Sequence, residues 1–146
     1  MRWIAVIAVA LVGSIGCGGA DEPAAPDAEQ VIRDWADALR AGDVDGAAEF
    51  FALPSLVANG TPAVVLYTRA QVRSFNAALP CGARLLRTSS STGFTTAVFR
   101  HTERPGPGEC GQGTGMTART TFVIRDGKIR EWHRVADTPS APGPVV

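Results

Sequence analysis

The chain has 146 residues, with 14 basic and 14 acidic side chains and two histidines. That length suits one domain built on one hydrophobic core. The charge is balanced and no basic run occurs, so nucleic acid is excluded as an expected partner; phosphate binding needs clustered cations.

The segment MRWIAVIAVALVGSIGC begins with a positive residue, Arg2, followed by an apolar run from Trp3 to Val12. The run is shorter than the roughly 20 residues a bilayer-spanning helix requires. Residues 1–17 are therefore expected to be an export signal ending at a lipid-acceptor cysteine, Cys17. Ser14 stands where a lipobox favours an aliphatic residue, so cleavage nearby by the general signal peptidase is the alternative. Residues 18–26 are rich in Gly, Ala and Pro and would form a flexible stalk. The expected location is the outer side of the cell membrane or envelope, with the membrane as a partner through the lipid anchor.

Residues 27–137 carry the domain. Asp27 and Gln30 provide the two halves of a capping box. Val31, Ile32, Trp35, Ala38 and Leu39 then recur at helical spacing. Gly42 ends that helix. Asp43 opens a second, expected to run through Phe50 and Phe51 toward Pro54, and residues 53–60 read as loop. The stretch from Pro62 to Tyr67 is a short strand or an extended pocket wall. Thr68 and Gln71 form another capping box ahead of Val72, Phe75 and Leu79, and Pro80 stops this third helix.

Strand patterns follow at residues 83–88, 94–103, 117–124 and 128–135, rich in Thr, Val and Phe. A turn at 89–93, a Gly/Pro loop at 105–113 and an Asp126-Gly127 hairpin join them. Residues 138–146 read as a disordered, Pro-rich tail. Both helices and strands have an apolar face to bury. The expected fold is α+β, a cone-like roll of three N-terminal helices packed on a curved antiparallel sheet of four or more strands.

With Cys17 lipidated, Cys81 and Cys110 remain, and an oxidising compartment would join them in a disulfide. Closing a loop of about 30 residues would stabilise the fold by roughly 3–4 kcal/mol. His101 and His133 have no ligand spacing to the cysteines, so no metal site is expected. No phosphate loop, nucleophile elbow or zinc-protease motif occurs, and no cofactor is expected.

Trp35 suits either the core or a pocket wall. Tyr67 divides evenly between pocket and surface. In strict alternation Ile129, Glu131 and His133 share one face of the last strand and Trp132 lies on the other. Glu131 and His133 could then serve as a proton-transfer pair, but the bulkier Trp132 favours burial of its own face. His101, near a strand end, is expected to be exposed.

The run VIRDWADALRAGDVDGAAEFF and the later TTFVIRDGKIREWHRV resemble the nuclear transport factor 2-like superfamily, with its SnoaL-like cyclase and ketosteroid-isomerase branches. More loosely, the whole chain is similar to actinobacterial secreted lipoproteins of that group. The resemblance implies a helix–sheet cone around a cavity, walled by Trp35, Asn59, Tyr67 and Phe75. In the isomerases an oxyanion-donor tyrosine occupies the position matched by Trp35, and a general-base aspartate the position matched by Asn59. An indole has no hydroxyl and an amide cannot take a proton, so that shuttle is absent here. The favoured expectation is thus a cell-envelope domain that binds a small hydrophobic ligand or a partner protein without a demonstrable catalytic set, with non-catalytic favoured over enzymatic. The alternative is a cyclase- or isomerase-type enzyme using His133 and Glu131. A homodimer formed through the sheet is a further expected partner.

Overall fold

The computed structural model describes residues 26–60 and 62–136. The signal expected over 1–17, with Cys17, nearly all of the stalk expected over 18–26, and the tail expected over 138–146 lie outside the described residues. Among the described residues no helix is long and apolar enough to cross a membrane.

Helix α1 spans Ala28–Arg40 and begins where the Asp27 carboxylate accepts the Gln30 N–H at 2.8 Å. The reciprocal half of the expected box is not made, because the Gln30 side chain donates to Asp34 instead. Val31, Ile32, Trp35, Ala36 and Leu39 are all buried, which gives α1 one continuous apolar stripe. Gly42 turns the chain with φ of 79°, and a Cβ there would come within 3.0 Å of Pro105. Helix α2 then runs Val44–Glu49, capped by Asp43.

The second helix is shorter than expected. Phe51, expected in that helix, instead opens a strand, β1 (Phe51–Ala58), that runs on through the segment read as loop. Pro54 argues against a central strand because it cannot donate to a ladder. The chain accommodates it where β1 breaks register against its neighbour, between Phe51 and Leu56. A short strand β2 (Val64–Leu66) precedes α3 (Arg69–Ala78), whose Thr68–Gln71 capping box is complete. The remaining strands are β3 (Gly82–Ser91), β4 (Phe94–Thr102), β5 (Thr117–Arg125) and β6 (Lys128–Val135).

The six strands form one sheet in the order β2-β1-β6-β5-β4-β3. All pairings are antiparallel except β1 with β6, which is parallel. The three helices pack on one face, as the apolar patterns of helix and strand require. Extra residues on β3, at Leu86, and on β6, at Arg130, break the ladders. Such bulges bend and twist a sheet, and here they help curve it around the helices.

Two buried polar groups fix the helices. Trp35 donates its indole N–H to Asn76 Oδ1 at 2.9 Å, and Asn76 donates to the Val72 carbonyl at 2.9 Å. Arg104, also buried, donates to the carbonyls of Ala77 and Leu79 at the end of α3. A cation there satisfies carbonyls that have lost their helical partners and suits the negative end of the helix dipole. The disulfide forms as expected: Cys81 and Cys110 are bonded across a separation of 29 residues.

Candidate functional site

The concave side of the sheet and α1 enclose a cavity of about 430 Å³, a size common for small-molecule sites. Trp35 and Leu39 enter from α1, Phe99 and His101 from β4, Ala118 and Thr120 from β5, and Trp132 and Arg134 from β6. Asn59, just beyond β1, and the segment Leu79–Cys81 complete the wall. Its deeper part merges with an aromatic cluster in which Trp35 meets Phe51, Phe99, Phe122 and Trp132 edge to face. Such contacts add to the apolar burial of each ring.

Strand register explains how the polar lining assembles. Arg134 pairs with Thr120, and Trp132 with Phe122. Ala58 pairs with His133, so Asn59, one residue further, comes level with Arg134. His101 follows Phe99 on the inward face of β4. These polar groups come from different strands, beyond the reach of any local motif.

The last strand buries Trp132, as its bulk suggests, and corrects the expected face of Ile129. Ile129 and Trp132 are both buried, although strict alternation puts them on opposite faces. The extra residue at Arg130 resets the alternation: Val123 pairs with Glu131 and Ile124 with Ile129. Trp132 and Arg134 therefore face the cavity. His133 and Glu131 do pair, with Nε2 and Oε2 2.8 Å apart, but they lie on the outer face and do not line the cavity.

His101 corrects a second expectation. It is half-buried in the cavity wall rather than exposed. Potential ligand atoms of Cys81, His101 and Cys110 all lie within 4.8 Å of one another. With the sulfurs bonded to each other neither is a thiolate, the form that ligates a metal or attacks as a nucleophile. His101 is thus the titratable member of this cluster, held against the disulfide at the cavity wall.

The other expected pocket residues divide. Trp35 and Asn59 line this cavity, but the Trp35 N–H is committed to Asn76. Phe75 lines a second, more open groove with Val57, Val64 and Leu66. Tyr67 is exposed and lines neither. Sequence reasoning missed Asn76 and Arg134, while Thr120 was one of several strand threonines suited to a mildly polar pocket. Asn76 had a signal, since it follows Val72 by one helical turn on the buried face of α3.

The loop that delivers Cys110 is organised by Glu103. Its carboxylate accepts from the Thr114 hydroxyl at 2.8 Å and from the backbone N–H groups of Cys110 and Gly111. The Thr114 hydroxyl, followed by the Cys110 N–H, holds the Glu103 carboxyl below its ordinary pKa.

No family model matches the chain, and no curated protein matches it. Solved structures do. A provisionally named polyketide cyclase from Sinorhizobium meliloti aligns over 73% of this chain and 94% of its own, with 17% identity and a TM-score of 0.57. An NTF2-like protein of unknown function from Cytophaga hutchinsonii aligns over 80% and 95%, with 8% identity and a TM-score of 0.60. A provisionally named ketosteroid isomerase from Kribbella flavida aligns over 80% and 82%, with 15% identity and a TM-score of 0.58. The chain thus has the nuclear transport factor 2-like fold.

The expectation of a non-catalytic binding domain does not survive. It rested on finding no acid–base group in the cavity. His101, clustered with Cys81 and Cys110 at the wall, supplies one.

Proposed function

We propose that the domain is an enzyme of the cyclase or isomerase type, acting on a small, largely apolar substrate by proton transfer. The observation that carries this reading is His101, a titratable group at the wall of an aromatic-floored cavity. An imidazole has an ordinary pKa of about 6.5 and can accept and return a proton near neutral pH. The aromatic floor would hold an apolar ring system. The reaction class that fits is proton abstraction next to a carbonyl, with the proton returned elsewhere on the same molecule. The His133–Glu131 pair lies outside the cavity and is not assigned this role.

Export by residues 1–17 with lipid attachment at Cys17 would place the domain outside the cytoplasm, where the disulfide is favoured. A dimer formed through the outer sheet face would leave the cavity open.

The test is hydrogen–deuterium exchange of 2-tetralone, a bicyclic enolisable ketone, followed by proton NMR. The protein should accelerate exchange above buffer, with a rate that rises as an imidazole loses its proton. His101→Gln should abolish the acceleration, whereas His133→Gln should leave it intact. Acceleration that survives His101→Gln would remove His101 from the chemistry.

A further inference from the structure

The polar part of the cavity wall is unbalanced. Arg134 presents only donors, Asn59 and Thr120 can each donate as well as accept, and among the described residues no Asp or Glu lines the cavity. Arg134 makes no ion pair with a described carboxylate. The nearest acid along β6, Glu131, faces outward and engages His133. Trp132, two residues from Arg134 and 4% exposed, has an indole N–H with no acceptor among the described residues. A buried donor left unpaired is costly, as is a cation in a partly desolvated wall without a counter-charge.

From the guanidinium without a described carboxylate and the unpaired indole N–H we infer that the cavity takes a small organic carboxylate. Its apolar body lies against Trp35, Phe99 and Trp132, and its carboxylate meets Arg134 with Asn59 and Thr120 alongside. The planar guanidinium fork matches a carboxylate with two parallel N–H···O bonds, a geometry that a neutral amide cannot reproduce. The register supports the placement, because Arg134 is flanked by Thr120 on β5 and by the position of Asn59 beyond β1. The inference rests on the reading of this cavity as the substrate site, and does not require His101 to be the base.

The test is isothermal titration calorimetry of the full chain with 2-naphthoate and with its neutral isostere 2-naphthamide, at low and high salt. The wild type should bind the carboxylate about tenfold or more tighter than the amide, with the preference weakening as salt rises. Arg134→Gln should erase the preference while keeping amide binding, and Arg134→Lys should restore part of it. Equal affinity for the two probes in the wild type, or a preference that survives Arg134→Gln, overturns the inference while the cavity stands as a binding site. Binding of neither probe overturns both. If Arg134→Gln fails to bind the amide, the wild-type salt dependence and Arg134→Lys decide: a salt-insensitive wild-type preference overturns the inference.

Discussion

The floor and the mouth of the cavity are built on opposite plans. The floor is aromatic: Trp35, Phe99 and Trp132 line it with Phe51 and Phe122 packed behind, all five almost wholly buried and in edge-to-face contact. The mouth is polar and cross-linked, with His101, Arg134, Thr120 and Asn59 beside the Cys81–Cys110 bridge. Folding energy is concentrated in the floor, where burial is complete and every atom has neighbours. The polar groups are concentrated in the mouth, where among the described residues no carboxylate lines the wall. One cone thereby separates the residues that hold it together from those that can act on a ligand.

The strongest way to break this contrast is to damage the floor. Phe122 is fully buried and meets both Trp35 and Phe99. Phe122→Ala should destabilise the domain by about 3–5 kcal/mol, the usual range for a buried phenylalanine. Denaturant unfolding measures it; a loss below about 1 kcal/mol, the scale of a surface change, would mean the floor is not the core. The mouth depends instead on its cross-link. Replacing both Cys81 and Cys110 by Ser frees a loop of 29 residues and should cost about 3–4 kcal/mol on the chain-entropy model. The paired substitution should leave the floor packing intact, so near-ultraviolet circular dichroism from the buried tryptophans should persist below the melting transition. Its collapse in the folded state would show that the bridge organises the whole cone.

The same contrast explains what the sequence could reveal. The floor was legible because period tells which side chains are buried: Val31, Ile32, Trp35 and Leu39 at helical spacing, Ala97 and Phe99 at strand spacing. The three helices and the four later strands followed from such local signals, and the disulfide from the count of cysteines left to pair. The mouth is a property of register. His101, Thr120 and Arg134 converge only because β4, β5 and β6 align as they do, and one extra residue at Arg130 decides which face Trp132 and His133 take. A bulge leaves no mark on period until the partner strand is known. Strand β1 was hidden for a related reason, since Pro54 resembles a terminator when its break in register cannot be seen.

The smallest effect sharpens the contrast at the rim, where Glu103 ties down the loop that carries Cys110. The carboxylate is solvent-accessible, and its folded pKa is held down by the Thr114 hydroxyl and by the Cys110 and Gly111 N–H groups. A depressed carboxyl pKa stabilises the folded state above the unfolded pKa, and that stability is lost as pH falls through the folded value. The wild type should therefore melt slightly higher than Glu103→Gln near neutral pH. The gap should close below the ordinary glutamate range, because the carboxyl is then protonated in both folded and unfolded chains. Melting temperatures of the two proteins across an acidic pH series measure this. A gap that stays constant down to strongly acidic pH would mean that the charge of Glu103 does not order the loop. The hydrogen-bonded shape of the side chain, which glutamine partly shares, would then suffice, and the mouth would be held by its disulfide and backbone alone.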